Sequence, residues 1–297
     1  MAKEKDRASK RFFSDAKIFS ELINLTLFNG KKIVNEKDLK ERDPVKSKAF
    51  SKTKSLEVLV DNLFDVEIKE DNRNTYAIIG LESQAYSDKH MVIRSGIASL
   101  LIYDWQLSLN KLPLKPVYII VLNMQDKAWN EITMLSELFS KEDIASFGPL
   151  LVNSSYIVAD PHKFKDEDFY SISNPLKLIL KTIKIQADKN EFLSYINSEK
   201  AFQNLDENTA KLLETIVNIE IPKDGGYNMC KAFEEIKKDA KQEGKLEGNK
   251  EGKTNTFFEL THEGLLSREI AAEKLNISLS EYTKLEKEFF DKKSATC

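Results

Sequence analysis

The alternation of apolar and polar positions predicts three elements in the first third of the chain. "DAKIFSELINLTLF" (15–28) has apolar residues at helical spacing and is followed by "NG", which predicts a helix that ends there. "LFDVEIK" (63–69) and "TYAIIGLESQ" (75–84) alternate in the manner of strands, with the turn-like "EDNRN" (70–74) between them. We therefore expect a helix followed by a β-hairpin.

Longer apolar runs follow the hairpin. The periodicity of "HMVIRSGIASLLIYDWQLSL" (90–109) predicts a helix, and the continuous β-branched run "KPVYIIVLN" (115–123) is typical of a strand covered on both faces. "LLVNSSYIVAD" (150–160) predicts a further strand. Helical patterns then dominate, as in "NPLKLILKTIKIQ" (174–186) and "NTAKLLETIVNIEI" (208–221). This order of elements predicts an α/β fold.

The pattern becomes more polar past residue 226. "NMCKAFEEIKKDAKQEGKLEGNKEGK" (228–253) carries Gly244, Gly248 and Gly252 at a spacing of four. Each glycine inside a helix costs about 1 kcal/mol relative to alanine. The segment therefore predicts a partly helical linker, with self-association through the glycines as the alternative.

The last segment, "LTHEGLLSREIAAEKLNISLSEYTKLEKEFF" (260–290), predicts two short helices around "NIS". Ser278 and Glu281 have the spacing of a capping box. One interpretation is a helix-turn-helix, whose second helix lies in the major groove of DNA. The other is a small helical hairpin that packs or dimerises, since the second helix is rich in acid.

Composition and charge restrict the class of protein. A chain of 297 residues with 41% hydrophobic residues can bury a sizeable core in one or two domains. Its net charge is −3, yet residues 1–54 carry 15 Lys and Arg against 8 Asp and Glu. This basic portion indicates either a local contact with a polyanion or a solvated tail.

We expect a cytoplasmic protein with no membrane association. No stretch approaches the roughly 18 to 20 apolar residues of a membrane span, and the N-terminus has no apolar run of signal-peptide length. Cys230 and Cys297 form no C-x-x-C pair, so we expect reduced thiols. The histidines, at positions 90, 162 and 262, are too scattered to predict a zinc site.

Three polar side chains on the predicted hairpin suggest chemistry. Alternate side chains of a strand share a face, so Glu82 and Gln84 project together, and Asp65 lies on the neighbouring strand. A buried carboxylate needs a partner, a proton or a metal, although this strand end could simply be exposed. Cross-strand side chains lie about 4.5 to 5.5 Å apart at Cβ, so Asp65 and Glu82 could hold one magnesium ion through oxygen ligands.

Several separated pieces of the chain resemble one family in the same order. The family is the bacterial recombination-promoting nucleases, also described as transposases of the YhgA-like type, within the PD-(D/E)XK nuclease superfamily. The pieces that carry the resemblance include "IFSELINLTLFNGKKIV" (18–34), "FDVEI" (64–68), "YAIIGLESQAYSDKHMVIR" (76–94), "PVYIIVLN" (116–123) and "YNMCKAFEEI" (227–236).

The resemblance implies roles for individual residues. Asp65 corresponds to the superfamily's strand acid, Glu82 to the acid of its E-x-K element, and Gln84 to the position of the Lys. Glu21 matches an additional acid that contributes to metal binding. Gln84 departs from the superfamily pattern, because an amide carries no charge and cannot act as a base. The resemblance would leave Gln84 to position the attacking water.

A short motif after the strand completes the match. Met91 and Arg94 correspond to the family's "MPxR" stretch, with Val92 in place of the usual Pro. Lys89 or Arg94 could supply the positive charge that Gln84 lacks and contact phosphate or DNA.

The resemblance implies a PD-(D/E)XK core, in which helices flank a central mixed sheet, with a helical C-terminal extension. The implied activity is hydrolysis of DNA phosphodiester bonds by an endonuclease that uses Mg²⁺ or Mn²⁺ and promotes recombination, with a homodimer suited to cutting both strands. One alternative is a catalytically weak or inactive DNA-binding or assembly protein that keeps the fold. Another is a transposase that joins strands through three carboxylates. The predicted regions are 1–170 (nuclease core), 171–225 (helices packing on it), 226–254 (linker) and 255–297 (helical hairpin or helix-turn-helix).

Overall fold

The structure is a computed structural model that forms two compact units, Met1–Ala232 and Phe233–Cys297. It describes residues 2–42, 49–51, 54–55, 60–70, 73–110, 112–148, 151, 153–223 and 226–295. The middle of the predicted turn (71–72) and Cys297 lie outside these residues.

The first unit contains the strands. They are β1 (Leu39–Arg42), β2 (Ala49–Ser51), β3 (Lys54–Ser55), β4 (Asn62–Glu70), β5 (Arg73–Gln84), β6 (Val117–Asn123) and β7 (Ile157–Ala159). Five of them form a sheet in the order β1-β4-β5-β6-β7, while β2 and β3 pair separately. β1, β4 and β5 are antiparallel neighbours, whereas β5, β6 and β7 run parallel, so the main sheet is mixed, as predicted.

Helices precede, separate and follow these strands. They are α1 (Ala2–Phe13), α2 (Ala16–Leu27), α3 (Met91–Ser108), α4 (Lys141–Phe147), α5 (Asn174–Ile185), α6 (Lys189–Ser198), α7 (Glu207–Val217), α8 (Met229–His262), α9 (Arg268–Leu275) and α10 (Leu279–Ala295). Short 3₁₀ helices occupy Glu36–Asp38, Leu135–Leu138, Pro161–Lys163, Asp166–Tyr170 and Lys200–Gln203. Among the described residues, no helix is both long and apolar enough to span a membrane.

The core of the first unit lies on both faces of the main sheet. On one face, Met91 and Ile102 of α3 pack in a buried cluster with Ile78 of β5. On the other face, Phe19 of α2 contacts Phe64 of β4, with their ring centroids 4.2 Å apart. Because apolar side chains are removed from water on both sides, the central strands are rich in β-branched residues.

Local sequence signals explain both ends of α2. Asp15 caps α2 by accepting hydrogen bonds from the amides of Lys17 and Ile18, as a polar N-cap should. Asn29 and Gly30 then adopt positive φ angles just after the helix, where the sequence predicts its end. The predicted hairpin, the helix over 90–109 and the strand over 115–123 are likewise confirmed, as β4 with β5, α3 and β6.

Two predicted elements are too long, and five others were missed. Of the described residues in the strand predicted over 150–160, only Ile157–Ala159 is strand, because the backbone around Ser155 instead forms an isolated antiparallel bridge with Met134. The helix predicted to reach residue 221 ends at Val217, where Asn218 turns left-handed. The elements that were not predicted are α1, β1, β2, β3 and α4.

The second unit has its own apolar cluster, which contains Phe258, Ala271, Ala272 and Tyr282. Asn276 has a positive φ between α9 and α10. Ser278 Oγ accepts the amide of Glu281 at 3.2 Å, which is one half of the predicted capping box. The predicted pair of short helices is thereby confirmed as α9 and α10.

Candidate functional site

The site lies where β5 ends and β4 begins. The antiparallel register pairs Asn62 with Leu81, so Asp61 precedes β4 directly beside Glu82. The amide of Ser83 donates to Asp61 Oδ2 at 2.8 Å and ties the two strands together at this point. The hairpin therefore brings Asp61 and Glu82 together.

Glu82 is buried, with 8% of its surface exposed. Its Oε1 accepts hydrogen bonds from Gln84 Nε2 at 2.9 Å and from Arg94 Nη2 at 2.6 Å. Burial raises the pKa of Glu82, and the charge of Asp6 adds to this effect, while Arg94 opposes it. Arg94 also donates from Nη1 to Asp88 Oδ2 at 2.8 Å, so its guanidinium bridges two carboxylates.

Among the described residues, Asp61 has no cation that is placed as Arg94 is beside Glu82. Its pKa is raised to about 8, first by burial and then by the negative charge of Glu82, while the hydrogen bond from the amide of Ser83 has the opposite effect. Asp6 of α1 contributes through its charge and a hydrogen bond between the two carboxyl groups. Three carboxylates, from α1, the start of β4 and the end of β5, thus share one region.

α1 is held against the sheet by specific contacts. Ser9 Oγ lies 2.6 Å from Ser83 Oγ, and Asn62 Nδ2 donates to the carbonyl of Lys10 at 2.9 Å. Phe13, at the end of the helix, is fully buried. These anchors hold α1, whose N-terminal half carries Lys5 and Asp6, beside the carboxylates.

A cavity of about 200 Å³ opens between these elements. Its walls include Lys5, Asp6, Glu82, Gln84 and Tyr86. The cavity therefore presents acidic, basic and amide groups to one small volume.

The structure does not bring Asp65 to Glu82. Asp65 shares a face with Asp61 but pairs with Ile78, four residues further from Glu82 along the hairpin, or about 13 Å at the rise of a strand. Its carboxylate binds Arg42 Nε and Lys115 Nζ, the latter at 3.1 Å. The expectation that Asp65 and Glu82 could grip one ion does not fit this register, and Asp61 is the hairpin acid next to Glu82.

Glu21 also lies apart from the cluster. Its Oε2 accepts hydrogen bonds from the amide and hydroxyl of Ser173, at 2.9 and 2.6 Å, and it lines a different cavity, of about 370 Å³. Glu21 therefore connects α2 to the start of α5. The helix acid beside Glu82 is Asp6.

The remaining predicted residues fall into two groups, those that contact Glu82 and those that do not. The structure places Gln84 and Arg94 in contact with Glu82. Lys89 is exposed in the turn before α3. Of the two predicted sources of positive charge, only Arg94 reaches the cluster, where it is bound to carboxylates.

Sequence reasoning missed Asp61, Asp6 and Lys5. The predicted five-residue turn (70–74) would set Asn62 opposite Glu82, whereas the observed pairing of Glu70 with Arg73 sets Asp61 there, so a shift of one residue decides which side chain meets Glu82. The signal for α1 was the helical spacing of Ser9, Phe12 and Phe13, which are buried. This spacing indicates that the basic N-terminal segment is a helix packed on the core rather than a solvated tail.

In the described part of the chain, no three His, Cys, Asp or Glu side chains are arranged to hold a metal ion by themselves. The three carboxylates interact through charge and a hydrogen bond rather than as a complete ligand set. Any cation bound here would complete its coordination with water or with a ligand, which is the usual behaviour of Mg²⁺.

The fold and this region define a class: an α/β protein with a cluster of carboxylates at one end of a mixed sheet. The family model described as "Putative transposase, YhgA-like" matches residues 3–212. The chain therefore belongs to that family, and the match includes Asp6, Asp61, Glu82, Gln84 and Arg94. No curated protein and no solved structure matches the chain significantly.

Proposed function

We propose that the protein is a metal-dependent DNA endonuclease of the PD-(D/E)XK superfamily, of the recombination-promoting type. The observation that carries the proposal is the partly neutralised acidic cluster of Asp6, Asp61 and Glu82 beside Gln84. Membership in a transposase-like family supports DNA as the substrate.

The residues present suit Mg²⁺ or Mn²⁺. The raised pKa of Asp61, about 8, indicates a carboxylate that either keeps a proton or takes a cation. Mg²⁺ prefers oxygen ligands, keeps several waters and needs only one or two carboxylates, which Asp61 and Glu82 would provide with Asp6 as a further acid. In this proposal, Asp61 and Asp6 take the roles that the resemblance gave to Asp65 and Glu21.

Each residue of the site has a defined task in hydrolysis. When bound, the metal would supply positive charge to the phosphate and lower the pKa of a water molecule. Arg94 fixes the Glu82 carboxylate through Oε1. Gln84 donates Nε2 to the same oxygen, and its Oε1 accepts no hydrogen bond from a described residue, so it can accept one from the attacking water.

The test is cleavage of supercoiled plasmid in Mg²⁺, in Mn²⁺ and in EDTA. Wild type should cut only with metal, and Asp61→Asn and Glu82→Gln should each lose at least about 100-fold in rate, the scale of one lost electrostatic contact. Asp65→Asn is the matched comparison, since it neutralises an acid on the same face of the same hairpin. Loss of cleavage in Asp65→Asn but not in Asp61→Asn, with both variants folded, would restore the sequence-based assignment.

Metal binding can be followed separately from cleavage. A ligand that binds only the folded state stabilises it by about 2.7 kcal/mol at 100 times its Kd. Mg²⁺ should therefore raise the Tm of wild type and of Asp65→Asn but not that of Asp61→Asn. Equal shifts in all three proteins would place the metal elsewhere.

A second candidate is a DNA-binding or assembly protein without catalysis. It is favoured by Glu82 Oε1, which already accepts hydrogen bonds from Arg94 and Gln84. DNA binding with no cleavage and no Tm shift in any metal would support it. A strand-joining transposase would instead yield joined products in the same reaction, and sedimentation of the active species would test the homodimer.

A further inference from the structure

We propose that Lys5 contacts the scissile phosphate and supplies the positive charge that Gln84 lacks. The inference rests on the proposed nuclease function and names a further catalytic residue for it. It follows from the place of Lys5 in the cavity and from the contacts that occupy the other cations.

Phosphodiester hydrolysis needs positive charge where negative charge develops. The oxygen of a water molecule forms a bond to phosphorus while one ester P–O bond breaks. The electron pair of the broken bond stays on the leaving ester oxygen, which then takes up a proton. The attacking water gives a proton to the solvent. Through this step the equatorial phosphoryl oxygens carry most of the charge, and a fixed cation beside them stabilises the transition state.

Other basic residues near the cluster do not fill this role in the structure. Both terminal nitrogens of Arg94 are bound, one to Glu82 and one to Asp88, at 2.6 and 2.8 Å. Lys89 is exposed in the turn before α3 and is not among the residues that line the cavity. The amide of Gln84 is neutral.

Lys5 lines the cavity together with Glu82 and Gln84. Its Nζ lies 3.4 Å from the carbonyl oxygen of Met124, a long hydrogen bond that occupies one of its three donors. No described carboxylate lies within ion-pair distance of Nζ. Two donors of a partly buried cation are therefore left for a ligand in the cavity.

The position of Lys5 is also accessible from outside the cavity. Lys5 and Tyr86 border two further cavities, one between α1 and α7 and one beside Asp126 and Lys127. A DNA strand that passes over the end of β5 could therefore reach Lys5 from either side. The anchoring of α1 by Ser9 holds the ammonium on this path.

The test compares Lys5→Met, which keeps the aliphatic stem, with Lys5→Arg, which keeps the charge. Lys10→Met is the matched control, because Lys10 is exposed on the same helix and contacts Asn62 only through its carbonyl. Single-turnover cleavage of an end-labelled duplex in Mg²⁺, the Tm shift caused by Mg²⁺ alone and the anisotropy of the fluorescent duplex would be measured for each protein.

We expect Lys5→Met to lower the cleavage rate about 100-fold or more while retaining the Mg²⁺-induced Tm shift, and Lys5→Arg to recover most of the rate. Lys10→Met should match wild type.

If wild type cleaves and Lys5→Met cleaves equally fast, the role proposed for Lys5 is wrong and the nuclease function stands. A loss of the Tm shift in Lys5→Met would make Lys5 a structural support of the acids. If wild type binds the duplex without cutting it, both proposals fail.

Discussion

At the scale of residues, several acidic side chains lie at the end of one strand, and basic side chains neutralise them to different extents. Arg94 neutralises Glu82 and Asp88, whereas in the described part of the chain Asp61 has Asp6 and Glu82 as its charged neighbours and accepts a hydrogen bond from the amide of Ser83. Like charges in a partly buried region favour the protonated form. We therefore expect the charge of Asp61 to respond to pH and to added cations.

This imbalance predicts how stability depends on pH in EDTA. The pKa of Asp61 is about 8 in the folded chain against an ordinary 3.8, so the folded state keeps a proton that the unfolded state releases. Stability must then fall as pH rises towards 8 and level off above it. We expect wild type to lose on the order of 2 kcal/mol between pH 6 and 9, measured by urea unfolding, and Asp61→Asn to lose much less. Parallel curves for the two proteins would show that Asp61 ionises normally.

At the scale of elements, β5 carries part of the site at its C-terminal end. Just before that end, the neighbouring side chains leave no space for a side chain on the strand. A Cβ atom on Gly80 would lie 2.7 Å from Val60 Cγ1 and 3.0 Å from Ile119 Cδ1. Glycine is thus required by the close approach of neighbouring side chains, two residues ahead of Glu82.

Gly80→Ala should therefore destabilise the first unit by about 1 to 3 kcal/mol, the usual cost of overpacking a core. Gly248→Ala in α8 is the comparison, since a Cβ there meets no described atom within 4 Å. That change should instead stabilise the helix by up to about 1 kcal/mol. Chemical denaturation of both variants gives the two free energies. A neutral Gly80→Ala would mean that Val60 and Ile119 repack easily.

At the scale of the whole molecule, each unit has an apolar core of its own. In the second unit, Tyr282 is fully buried against Phe258. The hydroxyl of Thr261 is hydrogen-bonded both to the hydroxyl of Tyr282 and to the carboxylate of Glu286. Arg268 binds the same Glu286 at 2.7 Å. Separate cores of this kind make separate unfolding the expected behaviour.

Tyr282→Ala should cost the second unit about 3 to 5 kcal/mol, as for other large aromatic truncations. Hydrogen exchange should then quicken in α9 and α10, while the amides of β5 and β6 keep their protection. The conservative Tyr282→Phe should show a smaller effect, because it loses only the hydroxyl contact to Thr261. Faster exchange throughout the chain in Tyr282→Ala would show that the two units unfold together.

The sequence by itself determined the elements with strong local signals and part of the site. Helical spacing and the "NG" that follows it defined α2, and the alternation of apolar residues defined β4 and β5. The same alternation put Glu82 and Gln84 on one face, and the structure shows them hydrogen-bonded to each other. These features depend on residues close in sequence, so periodicity was enough to predict them.

Only the tertiary structure decided which acids meet Glu82. The register of β4 on β5 selects Asp61 over Asp65, and a contact across 74 residues, from Ser9 to Ser83, sets α1 and its Lys5 beside the site. Both choices depend on pairing between strands and packing of a helix on a sheet. Such contacts are set by the fit of distant surfaces, which the local pattern of hydrophobic and polar residues does not encode.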